Sequence, residues 1–323
     1  MKTFEARMQY YRDLVQDRLK QVVTKKQPRS FYEPVEYIME SEGKRIRPIL
    51  LLLACQAVGG DVSRALDASI AVEILHNFTL VHDDIMDQDD LRRGRPTVHK
   101  KWDVATAILV GDGLVGLAYH YLLKSKSDRI QEIAAIFTQG IIELCEGQAL
   151  DKEFESRLDI HLDEYLVMIE KKTAQLLMVA TEIGAIIGGG TAEQQHLLRE
   201  FARELGNAFQ IQDDLLDMEL TSRKTFGSDI KQRKRTFLFI HALNTASAAL
   251  TDKIMAIFQK DTIDVADILA VRQMFDDNGT LQFARQEVAK RFDRAQLLLQ
   301  QMPASAARAD LAMLCRWLNE RKF

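Results

Sequence analysis

The sequence predicts an all-α protein, and three observations carry that prediction. The five prolines stand at positions 28, 34, 48, 96 and 303, so residues 97–302 contain none. Proline breaks helix interiors, and a long stretch without it suits long helices. Apolar residues recur three and four apart in widely separated segments, which is helical spacing. Strict apolar–polar alternation, the mark of a half-buried strand, is hard to find anywhere.

Taken in order, Phe4, Met8, Tyr11, Val15 and Val22 line one face of a first helix. Gly59-Gly60 ends a helix, and Ser63 is placed to cap the next. Ala71, Ile74, Leu75, Phe78 and Val81 form the apolar face of that next helix. Gln88 to Trp102 reads as a polar loop with Gly94 and Pro96, after which Asp103 is placed to cap a helix running to about Leu123. Gly188-Gly189-Gly190 is a further break, and Leu197, Phe201, Leu205, Ala208 and Phe209 resume the helical pattern. Leu220 to Arg235 is a second polar, basic segment, and Asn278-Gly279 turns between two helical patterns. No linker, low-complexity tract or repeat divides the chain. At about 150 residues per domain the length suggests two domains, but the unbroken pattern favours one all-helical domain over 1–323.

Composition excludes several classes. Lys plus Arg is 43, Asp plus Glu is 47, and the net charge is −4. That argues against a nucleic-acid partner, since such domains are strongly basic. Cys55, Cys145 and Cys315 share no metal-ligand spacing, and an odd, wide set suggests a reducing compartment. The N-terminal segment is charged throughout, unlike a signal peptide. The longest tempting apolar run, Ile49 to Cys55, is seven residues, where a membrane span needs about 20. A cytoplasmic protein without stable membrane insertion is expected.

Two acidic segments carry chemistry. Asp83-Asp84-Ile85-Met86-Asp87 and Asp213-Asp214-Leu215-Leu216-Asp217 both read DDxxD, and each closes an apolar helical pattern. Positions i and i+4 lie on one helix face, so like charges crowd there and call for a cation. Carboxylate oxygens suit Mg²⁺, which is often held by one or two carboxylates together with substrate phosphates. Basic segments follow both motifs: Leu91-Arg92-Arg93-Gly94-Arg95 after the first, Arg223-Lys224 and Arg233-Lys234-Arg235 after the second. Others are Lys44-Arg45-Ile46-Arg47 and Lys171-Lys172-Thr173. Arginine and lysine both bind phosphate, so acidic motif followed by basic loop, twice, is the arrangement wanted by a Mg²⁺–diphosphate complex. His76 lies seven residues before Asp83, almost two turns, and faces the same way. The phosphate-binding GxxxxGK[ST] loop, the kinase HRD and DFG pairing, the GxSxG elbow and HExxH are all absent.

These residues resemble the trans-isoprenyl diphosphate synthase (polyprenyl synthetase) family, short-chain type. The resemblance spans six blocks in order: GKRIRP at 43–48, HNFTLVHDDIMDQDDLRRGRPTVH at 76–99, EGQALD at 146–151, KKTAQL at 171–176, FQIQDDLLD at 209–217 and KTFGSDIKQRKRT at 224–236. It implies a bundle of long helices around a deep central cavity, the isoprenoid synthase type, usually a homodimer. It implies head-to-tail condensation of isopentenyl diphosphate with an allylic diphosphate (dimethylallyl, geranyl or farnesyl), with Mg²⁺, three ions per active site. By that resemblance Asp83, Asp84, Asp87, Asp213, Asp214 and Asp217 are metal ligands. Arg92, Lys172, Thr173, Gln210, Lys224 and Lys234 surround the allylic diphosphate. Lys44, Arg47, His76 and Arg93 form the isopentenyl diphosphate site. At 223 and 233 this chain has arginine where the family commonly has glycine.

Product length is read from Phe78. It stands five residues before Asp83, about 7.5 Å deeper along the helix and offset by roughly 140°, and it is similar to the floor residue of short-chain synthases. A product of fifteen to twenty carbons is expected, with twenty, geranylgeranyl diphosphate, favoured over farnesyl or longer chains. A class I terpene cyclase is disfavoured by the second DDxxD motif, and a non-catalytic prenyl synthase subunit by the integrity of both motifs.

Overall fold

The computed structural model describes residues 3–41, 43–219 and 226–320. Among them the expectation of an all-α chain holds. Two compact units form, one from Met1–Thr138, Val179–Leu198 and Met302–Leu311, the other from Gln139–Met178, Arg199–Gln301 and Ala312–Phe323.

The first unit holds helices α1 (Phe4–Leu19), α2 (Arg29–Met39), α3 (Ile46–Ala57) and α4 (Val62–Met86), then a two-strand hairpin of β1 (Leu91–Arg92) and β2 (Arg95–Pro96). The short α5 (Val98–Lys101), α6 (Val104–Leu122) and the start of α7 (Ile130–Phe154) follow. In α1 the Thr3 hydroxyl accepts from the Ala6 N–H, and Phe4, Met8, Tyr11, Val15 and Leu19 are buried. Val22, expected on the same face, is buried just beyond the helix end. Helix α3 is buried on every face from Pro48 to Cys55. That is why its sequence is apolar without periodicity, as in any fully enclosed helix. Burial pushes the Cys55 thiol up to about 11.

One cap differs from expectation. Asp61, in extended conformation, caps α4 by accepting from the Ser63 N–H at 2.9 Å, while Ser63 sits inside the first turn. Asp103 caps α6 as expected, accepting from the Thr106 N–H at 2.7 Å. The polar loop at 88–102 contains the hairpin, which pairs Leu91 with Pro96 and Arg92 with Arg95. Both central residues of its turn, Arg93 and Gly94, have positive φ, as a type I′ turn requires.

Helix α6 is long and apolar enough to cross a membrane by length and composition. Uninterrupted apolar runs do not reveal it, because Asp112 and three glycines divide it. Its buried face, Ala107, Val110, Gly111, Leu114, Ala118 and Tyr121, packs along α4. The glycines permit close approach: a Cβ on Gly111 would meet the His82 ring, and one on Gly113 the Phe31 ring. Ile108 and Leu109 on its other face are exposed.

The second unit holds the rest of α7, then α8 (Leu162–Ile169), a π-helical turn (Glu170–Ala174) and the start of α9 (Gln175–Ile187). Most of α10 (Ala192–Asp217) follows, with α11 (Ser228–Lys231), α12 (Phe237–Thr245), α13 (Ala248–Phe258), α14 (Val265–Asp277), α15 (Thr280–Gln300) and the end of α16 (Ala306–Asn319). Phe201, Leu205 and Ala208 of α10 are buried. Phe237 stacks near Phe283, with Tyr165 edge-on to it. Between α14 and α15, Gly279 adopts φ 74 and makes the expected turn.

Candidate functional site

Helix α4 carries the first acidic motif in its last turn, with Asp87 as C-cap. Asp83 and Asp87 are half-buried and Asp84 is buried. The hairpin returns Arg92 onto the motif: its Nε lies 2.5 Å from Asp84 Oδ1 and its Nη2 3.1 Å from Asp89 Oδ2. Burial pushes the Asp84 carboxyl up to about 6, against the opposing pull of Arg92. A cavity of about 50 Å³ lies here, with Asn77, Asp84, Arg92 and Arg93 in its lining.

Two turns earlier on α4, His76 Nε2 lies 3.1 Å from Nη1 of Arg47, in the first turn of α3. Burial lowers the imidazole well below its usual value, and Arg47 and Arg93 lower it further. A neutral ring protonated on Nδ1 leaves Nε2 to accept from Arg47. Burial also brings the Arg47 guanidinium down to about 10. Arg93 packs over Gly43, where any Cβ would come within 2.9 Å of its Nη1. The structure therefore brings Arg47, His76 and Arg93 together, with exposed Lys44 beside Gly43.

The second motif ends α10. Asp213 is half-buried, while Asp214 and Asp217 are buried and bonded internally. Asp214 accepts from the Tyr165 hydroxyl at 2.6 Å, the Phe237 N–H at 2.9 Å and Gln210 Nε2 at 3.1 Å. Burial outweighs these bonds and lifts its carboxyl to about 6. Asp217 accepts from the Ser228 and Asp229 N–H groups at 3.1 and 3.0 Å, closing the first turn of α11. Lys234 lines a small cavity with Asp214 and Asp217. Arg233 beside it adopts φ 56 and donates to the Phe258 carbonyl at 2.9 Å, so arginine takes a left-handed turn that glycine would accept more readily.

Lys172 and Thr173 sit on the π-helical turn, marked by the Gln175 N–H bonding back to the Glu170 carbonyl. Lys172 Nζ pairs with Asp151 at 2.5 Å, Lys171 with Glu146 at 2.5 Å, and the Thr173 hydroxyl donates to Gln210 Oε1 at 2.9 Å. Phe78 meets His82 edge-on at 4.8 Å and is half-buried. Lys224 lies outside the described residues.

Several contributors were not singled out from sequence. The Tyr37 hydroxyl donates to the Pro96 carbonyl at 2.8 Å, and Arg95 and Lys101 lie over its ring at 3.9 and 3.8 Å. Tyr37 thus holds the hairpin that presents Arg92. Asp151 and Tyr165 hold Lys172 and Asp214. Asp151 falls inside the EGQALD block, which was its only signal; a lone tyrosine gives none.

Among the described residues no three His, Cys, Asp or Glu side chains form a cluster able to hold a metal ion alone. The donor set is nevertheless all hard oxygen. It fits Mg²⁺, which takes few protein ligands and completes its shell with water and phosphate.

The raised carboxyls predict a pH dependence. Asp84 and Asp214, ordinarily near 3.9, hold protons in the metal-free fold up to about 6. The native state binds the extra proton between those values, so this contribution to metal-free stability is lost as pH rises through the window. A cation held by these two carboxyls would have to displace the proton, so its affinity would rise with pH through the same window and then level. At limiting Mg²⁺ the acid limb of activity is expected near pH 6, moving lower as Mg²⁺ increases. A limb independent of Mg²⁺ would refute the competition.

The polyprenyl synthetase family model matches residues 28–275. The chain is 37% identical over 317 residues to a short chain isoprenyl diphosphate synthase of Methanothermobacter thermautotrophicus, covering 97% of each. It is 44% identical over 220 residues to a geranylgeranyl diphosphate synthase of Methanosarcina mazei, covering 67% of this chain and 68% of that one. The structure of a geranylgeranyl pyrophosphate synthetase from Pyrococcus horikoshii superposes with a TM-score of 0.94 at 34% identity, covering 99% of this chain and 98% of that one.

Proposed function

The chain belongs to the polyprenyl synthetase family, and from that premise we propose that it makes geranylgeranyl diphosphate by adding isopentenyl diphosphate to an allylic diphosphate. It is a prenyltransferase with the all-α isoprenoid synthase fold. The observation that carries the reading is on α4. The guanidinium groups of Arg47 and Arg93 gather about the neutral His76 of this helix, and the carboxylates Asp83, Asp84 and Asp87 stand two turns further on. A diphosphate-only subsite beside a metal-directed one is what two diphosphate substrates of different roles require.

Mg²⁺, three ions by the family pattern, would supply Lewis-acid stabilisation of the departing diphosphate. Asp83, Asp84, Asp87, Asp213, Asp214 and Asp217 are assigned to hold it. Asp213 is the half-buried member of the second motif, and the oxygens of Asp214 and Asp217 are bonded within the unit. Arg92, Lys172, Thr173, Gln210, Lys224 and Lys234 are assigned to bind the allylic diphosphate, whose negative charge grows as the C–O bond ionises. Lys44, Arg47, His76 and Arg93 hold isopentenyl diphosphate so that its double bond attacks the allylic cation, after which a proton is lost. Purified protein given both substrates and Mg²⁺ should release pyrophosphate only when both are present. Release from the allylic substrate alone would indicate a cyclase.

Phe78 is assigned the floor for the growing chain. Phe78→Ala should lengthen the products at unchanged rates of allylic ionisation. Equal-turnover chromatography checks it, and an identical product profile would remove Phe78 from that role.

The exposed apolar residues Ile108 and Leu109 of α6 support a homodimer formed through this face. Leu109→Lys should convert the dimer to monomer in sedimentation, whereas an undisturbed dimer would place the interface elsewhere. Helices α7, α9, α10 and α16 each contribute to both compact units, which supports reading 1–323 as one domain. The three unpaired thiols, two of them buried, support a cytoplasmic location.

A further inference from the structure

Arg45 stands in sequence between two residues assigned to isopentenyl diphosphate, yet it takes no part in the exposed charge of that site. It is 3% exposed, and so is Glu73 of α4. Arg45 Nη1 lies 2.5 Å from Glu73 Oε1, with the two side chains 1% and 3% exposed. Its Nη2 and Nε donors are taken up by two other segments. Nη2 reaches the Ser41 carbonyl at 2.6 Å and Gln16 Oε1 at 3.0 Å, and Nε reaches Gln16 Oε1 at 3.3 Å. Helix α1, the segment just after α2 and helix α4 therefore meet on one guanidinium.

The backbone of Arg45 is left-handed, at φ 52 and ψ 36. A residue with a Cβ resists this conformation, and it persists where the surroundings over-determine it. The kink decides how the chain enters α3, and thus where Lys44 and Arg47 point. Glu73 and His76 are i and i+3 on α4, so they share a face. Two rungs result: Arg45 on Glu73, and Arg47 on His76. Glu73 also acts on Arg47 and Arg93, favouring their charged forms against burial. The Nε of Arg47 is buried with no hydrogen-bond partner among the described residues. A donor held in that state is one waiting for an acceptor.

We propose that Glu73 and Arg45 are positioning residues for the isopentenyl diphosphate subsite. Their buried pair locks the left-handed turn that aims Lys44 and Arg47, and the Glu73 carboxylate keeps Arg47 and Arg93 gathered before the diphosphate arrives. The inference rests on the assignment of Lys44, Arg47, His76 and Arg93 to that diphosphate, and one control tests the assignment separately.

The experiment measures KM for each substrate, kcat and melting temperature. Glu73→Gln should raise KM for isopentenyl diphosphate about tenfold, as expected for misplaced binding groups. KM for the allylic substrate and kcat should change less than about twofold, since the pair acts on one subsite. Removing one partner of a buried pair destabilises, but replacing both by apolar groups is often tolerated. Arg45→Met/Glu73→Met should therefore recover the melting temperature without recovering KM for isopentenyl diphosphate. Recovery of both would show a purely structural pair and overturn the proposal. The milder Gln16→Leu keeps the question open to refutation if the others fold poorly. It removes two contacts to Arg45 and should raise the same KM about threefold, and no change would count against the proposal. Arg47→Ala is the control. If it leaves KM for isopentenyl diphosphate unchanged, the subsite assignment itself fails; if it raises KM while Glu73→Gln and Gln16→Leu do not, only the positioning role fails.

Discussion

Asp83→Ala is expected to lower turnover by ~10²–10³, the loss that follows removal of one preorganised electrostatic contact to a developing charge. Asp83 lies in the last turn of α4, where the helix dipole presents its negative end. Carboxylates gathered there repel one another and the dipole alike, a repulsion that a bound cation relieves. The protein should therefore fold as well without Asp83 as with it. Asp213→Ala should behave in the same way, because Asp213 is the half-buried member of its motif. The buried Asp214 is different. Its oxygens serve Tyr165 and the first N–H of α12, so Asp214→Ala should lose stability as well as activity. Single-turnover rates at saturating Mg²⁺, with melting curves on the same samples, separate the cases. Near-normal turnover in Asp83→Ala or Asp213→Ala would refute the metal assignment of that motif.

Gly147→Ala is expected to cost both stability and substrate binding, although the change adds a single methyl group. In an exposed helix this substitution stabilises by about 1 kcal/mol. Here the new Cβ would lie 2.4 Å from the Lys172 nitrogen and 2.8 Å from the Lys171 carbonyl carbon. Those atoms are backbone of the π-helical turn, and Glu146 and Asp151 tie that turn to α7 on either side of the contact. Neither surface can rotate away, so the turn must lift. Overpacking of this kind costs about 1–3 kcal/mol, and the upper end applies when backbone meets backbone. Lys172 and Thr173 would move with the turn, so KM for the allylic substrate should rise as stability falls. Urea denaturation and steady-state kinetics test both. A stabilised variant with wild-type kinetics would show that α7 and the turn are not in this contact.

The helical fold was legible because proline absence and apolar spacing are local properties, and packing obeyed them. The aspartate motifs were legible because two copies of one charge pattern are improbable without a ligand. Arg45 has no role in the sequence reading beyond membership of a basic segment, since nothing within the GKRIRP block distinguishes an arginine that faces a ligand from one that turns inward. Its counter-charge, Glu73, lies 28 residues away on a helix whose face cannot be fixed without knowing its neighbours. The cap of α4 was misassigned to Ser63 because Asp and Ser are equally good caps, and only backbone conformation chooses between them. The π-helical turn has no sequence signature, and Gly147 was invisible for the same reason: its need for close approach arises from a segment 25 residues later. The arginine at 233 marks a place where a family preference for glycine is met by another residue accepting the same backbone angle.

The placement of both candidate subsites along α4 makes that helix a ruler. His76 and Asp83 are separated by seven residues, about 10.5 Å along the axis at 1.5 Å per residue. Inserting one residue between them would add little length but would swing one subsite roughly 100° around the helix, taking the two diphosphates out of alignment. A gain or loss of nearly a full turn would keep the facing but alter the reach by about 5 Å, more than a forming carbon–carbon bond can tolerate. Segment 76–83 should therefore tolerate no change in length, however freely its individual side chains vary, and homologous chains that join the same two substrates should differ there by substitution alone.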